Sequence, residues 1–290
     1  MRADRGRRWK RLLLAGLVLT GLVGWLYSLD SRELEVSEYT LHTEKLSQDL
    51  RIALLSDLHN AQYGEENQVL IGKIAAYQPH MILMCGDMVQ KDDPDVSVVL
   101  ELCEALTEVA EIYYIYGNHE GFLQYDPKGC QVPLDGYLTD RGVNLLYGGV
   151  YEIPHGQDTI HLLARSADAE DYQENPAMQA TVAEFMEADA FKLVMTHYPD
   201  LIWDALAEMQ FDLGVAGHYH GGQVIIPGLG GLYHSDTGFF PEYYAGQYQL
   251  RYGNLILSRG LGNGTPFPRI NNAPELVFIN VKTDNSTRKK

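Results

Sequence analysis

Apolar positions in this chain follow two periods, and the switching between them predicts its elements. Arg51–Asp57 (RIALLSD), His80–Gly86 (HMILMCG) and Glu111–Tyr116 (EIYYIY) are short, near-continuous apolar runs, the pattern of strands buried on both faces. Glu65–Tyr77 and Val96–Ala110, which separate them, carry helical spacing. Strand and helix alternating at this interval predict parallel strands joined by right-handed crossovers. Residues 121–160 are turn-rich, with a short helix near Asp135–Arg141 and strands around Gly149–Ile153 and Thr159–Ala164. The alternation resumes with a helix near Ala177–Ala188, a strand at Phe191–Thr196, a helix at Asp200–Met209 and a strand at Phe211–Ala216. Beyond Gly221 the pattern is all-β with Gly- and Pro-bearing turns through Gly264, before a last strand at Glu275–Val281.

The first 50 residues stand apart. Leu12–Leu29 is an uncharged apolar run of about the length that spans a bilayer. Arg2, Arg5, Arg7, Arg8, Lys10 and Arg11 precede it against the single acid Asp4, and Trp25 and Tyr27 lie at its far end. Basic flank, apolar run and interfacial aromatics predict a single-pass signal anchor with Met1 in the cytoplasm and the body outside. The alternative is a signal peptide cleaved from a secreted protein; Trp25, Leu26 and Tyr27 fill the region where small residues would mark a cleavage site. The predicted organisation is a cytoplasmic basic segment (1–11), the anchor (12–29), a linker and edge strand (30–50), one catalytic domain (51–283) and a polar tail (284–290).

Charge narrows the partners. The chain carries −17 at pH 7 despite that basic start, so its body is strongly acidic. Such a surface argues against wrapping nucleic acid, which needs Lys and Arg to neutralise phosphates. It allows a phosphorylated small molecule if bound metal reverses the sign locally. Three cysteines (Cys85, Cys103, Cys130) are too few for a disulfide framework; a Cys103–Cys130 bridge stays open, and Cys85 reads as a small buried residue.

Five segments, each following an apolar strand, carry residues that bind metal: Ser56-Asp57-Leu58-His59-Asn60, Gly86-Asp87-Met88-Val89, Gly117-Asn118-His119-Glu120, Thr196-His197-Tyr198-Pro199 and Gly217-His218-Tyr219-His220-Gly221. Ligands of α/β sheets bind beyond the carboxyl ends of the strands, so these five ends are predicted to converge on one crevice. Asp57 with His59, and His218 with His220, are two apart and would point to one side of extended backbone. Half of the ten histidines fall in these motifs. His42, His80, His155 and His161 read as ordinary residues, with His234 the strongest exception outside the motifs.

The ordered set D-x-H, G-D, G-N-H-[ED], a lone His and G-H-x-H resembles the calcineurin-like metallophosphoesterase superfamily over roughly Ile52 to Gln223. The anchored N-terminus and the ending Ser258-Arg259-Gly260-Leu261-Gly262 resemble its membrane-associated bacterial branch, which includes enzymes similar to UDP-diacylglucosamine hydrolases. Tyr219 departs from the pattern, because many relatives have a small residue there.

The resemblance implies a four-layer α/β/β/α sandwich of two mixed sheets flanked by helices. It also implies two divalent transition-metal ions, for which the mixed nitrogen and oxygen donors suit Mn, Fe or Zn. Asp57, His59, Asp87 and His220 would hold one ion. Asp87 would bridge to the second, completed by Asn118, His197 and His218. His119 would act on substrate, with Glu120 or Asp57 orienting its ring. The implied reaction is hydrolysis of a phosphodiester, pyrophosphate or phosphomonoester through the dinuclear centre and a bridging hydroxide.

Asn60 is a substrate-contact candidate beside a turn role. Arg259 and Arg269 are phosphate-binding candidates beside surface ion pairing. Phe239, Phe240, Tyr243, Tyr244 and Tyr248 would line a pocket, graze a bilayer or pack between hairpins. Extracytoplasmic placement and this aromatic stretch motivate a lipid-linked envelope substrate. The competing functions are a broad extracellular nucleotide phosphodiesterase and a noncatalytic surface protein stabilised by metal.

Overall fold

The computed structural model describes residues 32–124, 132–167, 176–203 and 209–284, with isolated positions between 14 and 24. Two six-stranded sheets form its centre. The first contains β1 (Glu35–Thr43), β2 (Leu50–Leu55), β3 (Met81–Met84), β4 (Glu111–Ile115), β5 (Asn144–Leu146) and β16 (Glu275–Thr283), ordered β1-β16-β2-β3-β4-β5. The second contains β6 (Gly148–His155), β7 (Asp158–Arg165), β8 (Phe191–Thr196), β9 (Leu213–Ala216), β14 (Gly246–Gln249) and β15 (Asn254–Leu257), ordered β14-β15-β9-β8-β7-β6. Two short hairpins lie between β9 and β14: β10 (Ile225–Ile226) with β11 (Gly230–Gly231), and β12 (Tyr233–His234) with β13 (Gly238–Phe239).

β2 to β5 run parallel, as do β7, β8, β9 and β15. Strands in these blocks are buried on both sides, which explains their unbroken apolar runs. In β2, Ile52 and Leu54 face a core shared with Leu162, Leu193, Val215 and Ile256 of the other sheet. Ala53 and Leu55 face the helices Gln68–Tyr77, Ser97–Thr107 and Leu134–Thr139 through Leu70, Val99, Leu106 and Leu138. The second sheet buries Leu163, Val194 and Leu255 under Val182 and Phe185 of helix Pro176–Glu187 and under Ile202 of helix Asp200–Trp203. These three apolar layers make the expected α/β/β/α sandwich.

Several boundaries differ from expectation. The expected edge strand is β1, which runs two residues past Leu41 and pairs in parallel with β16 along its whole length, Glu35 opposite Glu275 through Thr43 opposite Thr283. The helix expected over Glu65–Tyr77 starts as a 3₁₀ turn at Glu65–Asn67. There Asn67 takes φ 58° and its Oδ1 accepts from the Tyr63 N–H at 2.9 Å, a local bond that competes with helix. Glu111–Ile115 is followed by an unexpected helix, Asn118–Gln124, which opens inside the third strand-end motif, directly after Gly117. Cys103 is a free thiol buried against Met84 Sδ at 3.8 Å; Cys130, the other half of the bridge considered above, lies outside the described residues. The anchor expected over residues 12–29 falls largely outside them too. Among the described residues no helix is long and apolar enough to cross a membrane.

Candidate metal centre

Because β2, β3 and β4 are parallel in one sheet and β8 and β9 in the other, their carboxyl ends meet at one edge of the sandwich. Bonds across the gap fix that meeting. The His218 N–H donates to both Asp57 oxygens at 3.1 Å, and His197 Nδ1 lies 2.7 Å from the Cys85 carbonyl. Within the first sheet, the N–H groups of Asp57 and His59 donate to the carbonyls of Gly86 and Asp87.

The loops are not extended, as the two-residue spacings had suggested. Asp57, His59, Asp87, His218 and His220 all have φ between 47° and 72°, a left-handed conformation uncommon for residues other than glycine. Each pair converges because a tight left-handed turn brings its side chains together. At Gly217 the need for glycine is one of space, since a Cβ would overlap the Ser56 and Asp57 side chains. Gly86 needs both the left-handed backbone (φ 81°) and the close approach of Gly117.

Two groups of side chains result, joined by Asp87. In the first, His59 Nε2 and His220 Nε2 are 3.2 Å apart, His220 Nε2 is 3.6 Å from Asp57 Oδ1, and His59 Nε2 is 3.9 Å from Asp87 Oδ2. In the second, His197 Nε2 is 3.1 Å from His218 Nδ1 and 3.4 Å from the same Asp87 oxygen. Asn118 Oδ1 is buried with no hydrogen-bond partner. Nitrogen lone pairs this close, two buried carboxylates and an orphaned amide oxygen form a donor set that fits divalent cations with mixed N/O preference. Asp57, His59 and His220, and Asp87, His197 and His218, each bring ligand atoms within 4.8 Å of one another.

The electrostatics agree. Burial pushes His59 down to about 3 and His218 to about 4, and holds His220 low, so these rings are neutral and their lone pairs available. The carboxylates move apart: burial pushes Asp57 up to about 6, while His197 outweighs burial at Asp87 and holds it well below the usual range. Burial opposes charge on His197 too, yet Asp87 and Asp57 keep it up at about 10. The cluster therefore draws positive charge to the point between its carboxylates.

Supporting bonds set which nitrogen faces inward. His197 donates its Nδ1 hydrogen to the Cys85 carbonyl, so Nε2 is the nitrogen that faces Asp87 and would bind a cation in place of a proton. His218 Nε2 lies 2.8 Å from Asp236 Oδ2, which leaves Nδ1 facing His197. The sequence does not single out Asp236, because it follows no apolar run and belongs to no motif; the nearest signal is His234, packed on the His218 ring at 4.8 Å. Asp236→Asn is expected to weaken divalent-metal affinity about 10–100-fold, measured by competition with a fluorescent chelator. Unchanged affinity would reduce Asp236 to a surface residue.

His119 sits at the same centre, its Nε2 3.8 Å from Asp87 Oδ2 and its ring edge-on to His59. Its Nδ1 accepts the Lys91 backbone N–H at 3.1 Å, so in the neutral ring, favoured by burial, the proton is on Nε2. The orienting group is thus Lys91, not Glu120 or Asp57. Glu120 is fully buried and turned away, accepting from the N–H groups of Asp87, Met88 and Gly117 and from the Tyr114 hydroxyl at 2.7–2.9 Å. A carboxylate committed to four donors has no oxygen left for chemistry; it pins the loops bearing Asp87 and His119.

The three substrate-contact candidates are also engaged elsewhere. Asn60 adopts φ 58° and donates to Asp93 Oδ2 and the Asp95 carbonyl, which is the turn role. Arg259 Nη2 pairs with Glu35 at 2.9 Å and Glu275 at 3.2 Å, tying the ends of β1 and β16. Arg269 is buried behind the centre: its Nη2 lies 3.0 Å from His220 Nδ1, and the carbonyls of Arg259 and Gly262 accept its hydrogens. The aromatic stretch divides, with Tyr243 and Tyr248 packed ring to ring and Phe239 and Phe240 exposed.

Residues 50–222 match the family model described as calcineurin-like phosphoesterase. Among curated proteins, an uncharacterized metallophosphoesterase of Aquifex aeolicus is 25% identical, with 90% of this chain and 97% of the relative aligned. The uncharacterized metallophosphoesterase YkuE of Bacillus subtilis is 25% identical over 94% of both. Phosphodiesterase YaeI of Escherichia coli is 24% identical, covering 79% of this chain and 81% of its own length.

Proposed function

This chain belongs to the calcineurin-like phosphoesterase family, and on that premise we propose that it hydrolyses a phosphodiester, or a pyrophosphate or phosphomonoester, of a lipid-linked substrate at a membrane surface. The family uses a dinuclear transition-metal centre, and the chain is a hydrolase of phosphorylated substrates. The diester is put first because the relative named a phosphodiesterase aligns over most of this chain.

The observation that carries the reading is that one Asp87 oxygen faces His197 at 3.4 Å, His119 at 3.8 Å and His59 at 3.9 Å. Asp57, His59, Asp87 and His220 would hold one ion, and Asp87, Asn118, His197 and His218 the other. Bound Mn, Fe or Zn ions would neutralise the phosphoryl oxygens and acidify the attacking water. The protein's own part falls to His119. With Nδ1 accepting from the Lys91 N–H, its proton is on Nε2, directed into the centre, where it donates a hydrogen bond that stabilises charge building on the leaving oxygen. Its burial limits exchange of that proton with bulk water. Since Arg259 is paired with two carboxylates and Arg269 lies behind His220, the substrate's negative charge is met by the centre itself.

The apolar run Leu12–Leu29 supports membrane attachment. The described positions there (Leu14, Gly16, Val18, Thr20, Gly21 and Gly24) are helical, and the uncharged apolar run they belong to has the length that suits a bilayer. The reading is a single-pass anchor with the catalytic domain outside the cytoplasm; N-terminal sequencing of the mature protein distinguishes it from a cleaved, secreted form. The function is tested by assaying the metal-loaded full chain on bis-p-nitrophenyl phosphate, p-nitrophenyl phosphate, soluble nucleotides and lipid-linked pyrophosphate. The highest kcat/KM is expected on the lipid-linked compound and, between the two chromogenic esters, on the diester. Preference for soluble nucleotides would eliminate the lipid, and inertness toward every phosphoester would leave a metal-stabilised surface protein.

A further inference from the structure

The three most exposed large apolar side chains among the described residues lie in loops next to the metal centre. Leu229, Phe239 and Phe267 are 67%, 71% and 68% exposed, and Tyr233 and Phe240 are about half exposed. All five belong to loops bonded to the ligand segments. The Phe267 carbonyl accepts from the side chains of Gln223 and Asn263, just past His220 and the Gly262 turn. Leu229 tips the β10–β11 hairpin, whose Ile225 N–H donates to Ile270. Tyr233 and Phe239 are cross-strand partners in β12–β13, flanking the His234 and Asp236 that hold His218. Residues 217–250, which carry four of the five, contain no Lys or Arg, so what this stretch offers a membrane is apolar area and not attraction to anionic headgroups.

The path of the chain says which surface. Glu35 begins β1 at the same edge, its N–H bonded to Pro274 and its carboxylate to Arg259. Arg32 lines a cavity with Tyr63, Leu261, Asn263 and Arg269. The apolar run ends at Leu29, three residues earlier, and three residues span at most about 10 Å. An anchor in a bilayer therefore holds the metal-centre edge against that bilayer, and the opposite edge, where β1 ends at Thr43, away from it.

We infer that Leu229, Tyr233, Phe239, Phe240 and Phe267 form a rim that inserts into the lipid surface around the mouth of the centre, so that the enzyme takes phosphoester headgroups from the plane of the membrane. This rests on the anchored reading above, and the test separates the two. The full chain carrying Cys130→Ser, Cys85 and Cys103 being buried, receives a nitroxide at Phe239→Cys, Phe267→Cys or Glu44→Cys and is reconstituted in phosphatidylethanolamine–phosphatidylglycerol vesicles. Relaxation by dissolved oxygen and by a water-soluble nickel chelate is compared at each label. The two rim labels are expected to favour oxygen over nickel, as lipid-buried sites do, while the label at 44, beyond the far end of β1, favours nickel. Chain that floats with the vesicles while its rim labels stay nickel-accessible would overturn the rim and leave the anchor standing. Chain that fails to float would overturn both. Rim labels closed to both reagents, with spin–spin broadening, would assign the face to a second copy of the chain and also overturn the proposal.

Discussion

Asp87→Ala is expected to purify as a folded protein with its metal content collapsed and its phosphodiesterase activity lost. Asp87 is the side chain common to both groups of ligand atoms, so its removal strips a charge from both positions. Breaking a buried charged pairing costs about 3–5 kcal/mol, a factor of roughly 10²–10⁴ in affinity. The variant also loses Oδ1 as acceptor for the His119 N–H at 2.8 Å, which loosens the start of helix Asn118–Gln124. Elemental analysis beside circular dichroism decides the matter. A folded variant with wild-type metal content would end the case for a shared carboxylate.

His119→Ala should behave differently, keeping its metal and losing about 10²–10⁴-fold in kcat. The substitution spares the His119 N–H bond to Asp87, so only the imidazole is deleted. The loss should grow as the leaving group becomes a worse one: modest on bis-p-nitrophenyl phosphate, whose phenolate departs without a proton, and largest on an alkyl diester. A residue that merely shaped the pocket would slow both esters alike. Full activity on the alkyl diester would refute the hydrogen bond from His119 to the leaving oxygen.

Much of this was visible in the sequence because burial leaves a strong imprint. Strands such as β3 and β8, covered on both faces, need apolar residues at every position, and Phe191–Thr196 is found with the bounds its composition predicted. Placing the polar motifs at strand ends was enough to bring Asp57, His59, Asp87, Asn118, His119, His197, His218 and His220 to one edge. Three kinds of information were not visible. Local backbone conformation was one: spacing suggested extended pairs, and left-handed turns reach the same convergence. The direction of a side chain was another. Glu120 sits in the motif yet turns toward three backbone donors and Tyr114, a choice set by burial in three dimensions. Partnership across the chain was the third. Asp236 approaches His218, and Arg269 approaches His220, from loops that sequence distance disguises, while Arg259 is claimed by Glu35, 224 residues away.

The left-handed backbone at Asp57, His59, Asp87, His218 and His220 restricts how this centre can be re-engineered. Asp, Asn and His tolerate that conformation better than other residues bearing a Cβ, and each such turn still costs on the order of 1–3 kcal/mol. Exchanging an imidazole for a thiolate to favour a softer ion would thus meet opposition from the main chain as well as from coordination chemistry. Selectivity is more easily retuned one layer out, through Asp236, where a substitution alters the basicity of a ligand and leaves the strained turns alone.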